Sequence, residues 1–272
     1  MIDLKDFKQT GYTVIKNWIS ESEIQQFIND YETQEQSSNE NYKIKCASHS
    51  LLKSFKSRIL EICDAVNLVK GGNIDLIMPS DPSNIYAESA LGWGWHQEHE
   101  PQYMLQNLNN YINLWVLLLK EDSDLSGLSI IPTNKILELV PERYHGLLFD
   151  EAAKTYTPDG DVTHVRDSEN VITMDIPLNI NTIAVTPTVS PGDLLLLDGK
   201  TIHRTQDSHK KRLAVSIRCI DGSTQLSYNK YFTGDEEKVE VMEYNKKVYD
   251  TIKQSFNGKE TATVREIFKG GI

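Results

Sequence analysis

The sequence predicts a mainly β fold with flanking helices, built on a double-stranded β-helix (jelly-roll, cupin-like) core. Three observations predict it. From about residue 73 to 220, short β-type runs follow one another with turn residues between them. One of these runs, Tyr111 to Leu119, is apolar on both faces and so belongs in the middle of a sheet. The segments before and after this stretch carry apolar residues at helical spacing, which suits helices laid on a sheet. At 272 residues the chain is long enough for a substantial core and is read as a single domain, 1–272. Within it the expected parts are N-terminal helices (about 1–70), the jelly-roll core (about 73–220) with a lid-like insertion (about 133–180), and a C-terminal helical extension (about 237–272).

Taken in order, residues 1–31 read as helix, strand, helix, with Tyr12 to Ile15 as the strand after Gly11. Ser20 and Glu23 make a capping box, in which each side chain accepts from the other residue's backbone N–H. Ile24, Phe27, Ile28 and Tyr31 then recur on one helical face. Residues 33–42 are polar and loop-like. A second amphipathic helix is expected over 50–66, presenting Leu51, Leu52, Phe55, Ile59, Ile62 and Cys63 to a sheet. Strands are expected at Ile74–Met78, at the run that follows Gly92-Trp93-Gly94-Trp95, at Leu128–Ile131, at Thr182–Val185, at Leu194–Leu197 running up to His203, and at Leu213–Ile220. The segment from about 133 to 180 is polar and weakly periodic and reads as a long loop of the lid type. Residues 237–256 read as helix, with Val241, Tyr244, Val248 and Ile252 on one side.

Composition narrows the function classes. The net charge of -11 argues against a nucleic-acid partner and against anionic membranes. No stretch approaches the ~20 apolar residues of a membrane span, and the first residues are charged, without an apolar signal core. Cys46, Cys63 and Cys219 form no C-x-x-C pair and are expected as reduced thiols. These features point to a cytoplasmic protein. The oligomeric state is left open.

One motif carries chemistry. His96-Gln97-Glu98 is followed about a hundred residues later by His203. In a strand, residues i and i+2 share a face, so His96 and Glu98 can bind one ion while Gln97 points away. Two imidazoles and one carboxylate are the donor set of a non-haem iron(II) site. Three ligands on one side of an octahedral ion leave two positions for a chelating cosubstrate and one for dioxygen.

Five blocks in order extend this pattern. They are Phe7 to Lys16 with the capped helix after it, Trp95 to Glu98, Leu114-Trp115 followed by Ser126 to Pro132, Pro191 to Thr205, and Arg212 to Ser216. Over about residues 4–220 the chain resembles the phytanoyl-CoA dioxygenase family of iron(II)- and 2-oxoglutarate-dependent oxygenases. The resemblance implies Fe(II), 2-oxoglutarate and O2 as cofactor and cosubstrates, with His96, Glu98 and His203 as metal ligands. It places Arg212 on the distal carboxylate of 2-oxoglutarate, a role that suits a guanidinium. Thr205 would share that carboxylate, Trp115 would line the pocket, and Gln97 would touch cosubstrate or substrate. The implied activity is oxidation, above all hydroxylation, of an unactivated C–H bond of a small molecule, with succinate and CO2 released.

The chain departs from the family pattern in three places, one of them a loop between His203 and Arg212 that is shorter than is common there. Glu98 stands where the family has Asp, one methylene longer. Halogenating relatives lack a carboxylate there, so its presence points to hydroxylation or a related oxidation. Pro132-Thr133-Asn134-Lys135 replaces the usual Pro-Gly-Ser-His beside the substrate. Candidate substrate contacts are Arg218, six residues beyond Arg212 on the same strand face, together with His99, Tyr103, Arg143, His164 and Arg166. Two other readings remain: a jelly-roll metal protein of the isomerase or lyase kind, which has no need of Arg212, and a binding protein that keeps the fold without turnover.

Overall fold

The computed structural model describes residues 4–35, 45–79, 83–88, 94–121, 127–150, 152–167, 172–206, 211–234, 236–244 and 246–269. Most of the 33–42 loop, Gly92, Trp93 and Ser126 lie outside the described residues.

The N-terminal part follows the sequence closely. Helix α1 (Phe7–Thr10) ends at Gly11, whose φ of 80° is left-handed, and β1 (Tyr12–Ile15) follows. Helix α2 (Glu21–Thr33) starts with the expected capping box: the Ser20 hydroxyl accepts from the Glu23 N–H, and the Glu23 carboxylate accepts from the Ser20 N–H at 2.8 Å. After β2 (Lys45–Cys46), α3 (His49–Lys70) runs longer than its apolar spacing suggests, because Gly71 supplies the left-handed stop. It buries Leu52, Phe55, Ile59, Ile62, Cys63 and Val66, each aliphatic or aromatic side chain contributing roughly 1.5–3 kcal/mol relative to exposure.

The core elements come next: β3 (Leu76–Ile77), β4 (Ile85–Glu88), β5 (Trp95–His96), α4 (His99–Leu105), β6 (Tyr111–Lys120), β7 (Leu128–Ile131), α5 (Thr133–Leu139), α6 (His145–Leu148), β8 (Lys154–Asp159), β9 (Val162–Asp167), β10 (Ile172–Ile176), β11 (Leu194–Asp198), β12 (Ile202–Thr205) and β13 (Arg212–Ile220). They build two antiparallel sheets, ordered β1-β11-β6-β13-β4-β2 with β3 on β13, and β10-β9-β8-β5-β12-β7. This is a double-sheet jelly roll with flanking helices.

Alternation sorts each strand between the layers. Leu194, Leu196, Leu114, Val116, Val215 and Ile217 face α2 and α3. Leu195, Leu197, Trp115, Leu117 and Ala214 face inward and meet Leu128 and Ile130 of the second sheet. The doubly apolar β6 is central, between β11 and β13.

Four expectations need correction. The 133–180 segment is not a long loop: it holds α5, α6 and three paired strands that extend the second sheet. Thr182–Val185 is not a strand; Ile180–Ile183 is a 3-10 turn and only Val185 bridges to Ile130. Leu194–Leu197 does not run up to His203 in one strand, since the chain changes sheets between β11 and β12. The Ile74–Met78 run is ladder-paired only at Leu76 and Ile77, against Ile220 and Cys219.

Beyond the core, β14 (Gln225–Ser227) pairs with β15 (Thr261–Thr263). Helices α7 (Glu236–Tyr244) and α8 (Lys246–Ser255) stand between them, and α9 (Val264–Ile267) follows β15. Tyr231, Tyr249, Ile252 and Phe256 of this extension pack on Tyr103, Leu105 and Tyr111, closing one end of the core. None of the three cysteines is in a disulfide. No helix among the described residues is long and apolar enough to cross a membrane.

Candidate metal and cosubstrate site

β5 and β12 pair at one position, His96 opposite His203. Opposed residues of an antiparallel pair project to the same side, and the ring centroids are 4.4 Å apart. Each Nδ1 lies against a main-chain carbonyl, His96 on Gly94 at 2.7 Å and His203 on Thr201 at 2.9 Å. A carbonyl only accepts, so Nδ1 carries the hydrogen, and in the neutral ring Nε2 presents its lone pair. That is the tautomer a metal ligand needs. Burial, then the neighbouring His203, lower the His96 pKa to about 3, so this ring is neutral at ordinary pH.

Glu98 reaches the same space by a different route from the one its spacing implies. The strand stops at His96, and Glu98 is the extended residue that starts α4, with φ -60° and ψ 98°. Its Oε1 accepts from the Asn113 amide at 2.9 Å and lies 3.5 Å from His203 Nε2. Its Oε2 accepts from Arg218 Nη2 at 3.0 Å. Burial opposes ionisation, but Arg218, His203 and His96 outweigh it and hold the carboxyl below the usual carboxylate range. Asn113 and Arg218 are register partners across β6 and β13, so both project inward. Sequence reasoning missed Asn113; its signal was a lone amide in an otherwise apolar strand core.

The structure thus brings His96, Glu98 and His203 together, with Glu98 turned toward Arg218 and Asn113. As the side chains stand, no three His, Cys, Asp or Glu among the described residues are already arranged to hold an ion. The donor set nevertheless fits iron(II): two imidazoles and one ionised carboxylate oxygen.

Arg212 enters the inter-sheet space from the other end of β13 and is 3% exposed. It donates to the Gly127 carbonyl at 3.2 Å and the Glu88 carbonyl at 3.4 Å, and its guanidinium lies 5.6 Å from the Trp115 ring centroid. Burial lowers its pKa to about 10, which leaves it a cation at neutral pH. Thr205 is two residues past His203 and pairs with Leu128, the neighbour of Gly127, so it stands on the Arg212 side. Trp115 is buried in the inter-sheet cluster.

Gln97 is not brought to this group. Its amide donates to the Leu148 carbonyl at 3.1 Å and the Lys200 carbonyl at 3.0 Å, because extended backbone sends the middle residue to the opposite face. His99 stands beside the group, 6.5 Å from His96 between ring centroids, and its Nδ1 lies 3.0 Å from the hydroxyl of the fully buried Tyr103. Arg166 is opposite Thr155, which is opposite His96, so all three share one face of the second sheet. Two strand spacings put Arg166 about 10 Å from His96 along that face. His164 is exposed on the same face and is held by Asp175 at 2.7 Å, which raises its pKa. Arg143 lies over the ring of its neighbour Tyr144. Arg218 is committed to Glu98 and to the Ser83 carbonyl.

No family model matches this chain, and no curated protein matches it. Solved structures do. The chain is similar to a non-haem α-ketoglutarate-dependent carbocyclase, SnoK, from nogalamycin biosynthesis (14% identity, TM-score 0.51, covering 81% of this chain and 83% of that one). It is also similar to EctD from S. alaskensis solved with 2-oxoglutarate and 5-hydroxyectoine (13% identity, TM-score 0.50, covering 81% and 76%). At this identity the likeness establishes a shared fold.

Proposed function

We propose that this chain is an Fe(II)- and 2-oxoglutarate-dependent dioxygenase of the phytanoyl-CoA dioxygenase kind, hydroxylating an unactivated C–H bond of a small molecule. The observation that carries this reading is the meeting, in one inter-sheet space, of two imidazoles in the metal-ligating tautomer with a buried carboxylate at one end and a buried Arg212 at the other. A structural ion-pair network would not need both rings held in that tautomer.

When bound, iron(II) with 2-oxoglutarate and O2 supplies the oxidising power, giving succinate and CO2 as oxygen is transferred to the substrate. The protein supplies ligands, orientation and a dry site. His96, Glu98 and His203 would hold the ion. Arg212 offers two N–H groups to a carboxylate, the geometry a guanidinium satisfies best, and Thr205 adds a hydroxyl on the same side. Trp115, Leu117, Leu128, Ile130, Leu195 and Leu197 line the space with apolar surface that excludes water. Arg166 and His164 lie on the rim of the face that carries His96, where a polar substrate would rest.

The test is an anaerobic titration with Fe(II) and 2-oxoglutarate, read by the visible charge-transfer band of the chelate. The band is expected in the wild type, and its loss is expected in His203→Ala and, at matched cosubstrate, in Arg212→Ala. Metal binding to folded wild type without any band would move the assignment to a jelly-roll metal protein that uses no 2-oxoglutarate.

A further inference from the structure

We propose that Arg218 holds Glu98 as a one-oxygen ligand and thereby keeps three positions of the metal open. This rests on the reading above, that His96, Glu98 and His203 bind iron(II).

A carboxylate can bind an ion through one oxygen or both. With two imidazoles in place, a two-oxygen Glu98 fills four of six positions. The remaining two accommodate a chelating 2-oxoacid and leave none for dioxygen. The risk is greater for Glu than for Asp, because the extra methylene adds a rotatable bond and lets the carboxylate turn its edge toward the ion.

The structure shows what prevents this. Oε2 is occupied by Arg218 Nη2 at 3.0 Å, in a charge-assisted hydrogen bond. Oε1 is the oxygen that lies 3.5 Å from His203 Nε2 and therefore the one that faces the ligand pair. Asn113, in register with Arg218, donates to Oε1 at 2.9 Å and fixes the rotation of the group from the other side. An oxygen has two lone pairs, so Oε1 retains one for the ion.

Arg218 is itself anchored. It is 6% exposed, its Nη1 donates to the Ser83 carbonyl, and its backbone N–H donates to Asn84 Oδ1 at 2.7 Å. Asn84 in turn donates to the Met78 carbonyl at 2.7 Å. The guanidinium also neighbours the buried Tyr111 hydroxyl. A side chain held at both ends is a positioning residue for Glu98, and these commitments take it out of the set available to substrate.

The experiment uses nitric oxide as a stand-in for dioxygen on the anaerobic Fe(II)–2-oxoglutarate complex, read by the paramagnetic signal of the adduct. Wild type is expected to give both the charge-transfer band and the adduct. Arg218→Met, folded by circular dichroism, is expected to keep the band while nitric oxide affinity falls about 10- to 100-fold, the range over which an outer partner controls a metal site. Arg218→Lys, which can still occupy Oε2, is expected to restore most of it. Undiminished adduct in folded Arg218→Met would overturn the proposal. So would a crystal structure of Mn(II)- and 2-oxoglutarate-loaded wild type with both Glu98 oxygens on the ion, a result that needs no variant to fold. Wild type with neither band nor adduct would instead overturn the functional reading on which this one rests.

Discussion

His96 and His203 face each other at the single position where β5 pairs with β12, and each ring is locked in the same tautomer by a carbonyl two residues before it in the chain. Register therefore sets both rings on one face: a slip of one residue would send one ring to the outer face. Removing either ring leaves two donors. His96→Ala and His203→Ala are each expected to weaken Mn(II) binding by more than the ~100-fold that loss of an outer partner can cost. Titration followed by Mn(II) electron paramagnetic resonance reads this, with circular dichroism to confirm the fold. Wild-type affinity in either variant would remove that ring from the ligand set.

Gln97 separates structure from chemistry within the same motif. Its amide ties β5 to the carbonyls of Leu148 and Lys200, on the face away from His96. Gln97→Leu leaves both carbonyls short of a donor, which costs about 1–3 kcal/mol. For a chain of this size that is a drop in Tm of roughly 2–10 °C by calorimetry. The Fe(II)–2-oxoglutarate band is expected to stay at wild-type cosubstrate affinity. An unchanged Tm with weakened 2-oxoglutarate binding would put Gln97 at the cosubstrate after all.

What could be read in advance follows from how local each signal is. Tyr111 to Leu119 announces two-sided burial by composition alone, and that strand lies between β11 and β13, where burial on both faces places it. Ser20 and Glu23 announce a helix start three residues apart, and the box is formed. The β8–β9 hairpin was missed although Gly160-Asp161, the two-residue loop between Asp159 and Val162, is a Gly-first hairpin signal, and Gly160 takes a φ of 54°. Its inner-face residues Thr155, Thr157, His164 and Arg166 are polar and lie half-buried or exposed, so the segment reads as a loop by composition. The Glu98–Arg218 pair was beyond reach for another reason. It depends on the turn after His96 and on the register of β13 against β6, neither of which any run of residues encodes by itself.

The N-terminal helix offers a test of stability against pH. Glu23 accepts from Arg58 Nη2 at 2.8 Å and from Arg58 Nη1 at 3.1 Å, as well as closing the capping box. The Arg58 hydrogen bonds are the main cause that lowers its pKa from 4.5 to about 2; burial opposes them and the Ser20 bonds assist. A folded-state pKa below the unfolded one means stability that is fully present above about pH 4.5 and is lost as pH falls toward 2. Glu23→Gln isolates the charge, because Gln still closes a capping box while the ion pair is gone. The pair is partly solvated, so the loss at neutral pH is expected at up to about 1 kcal/mol. Urea denaturation at a series of pH values reads it: the gap between wild type and Glu23→Gln should be constant from pH 7 to 5 and shrink between pH 4.5 and 2. A gap that persists unchanged at pH 2 would mean that Glu23 acts through its shape in the cap and not through its charge.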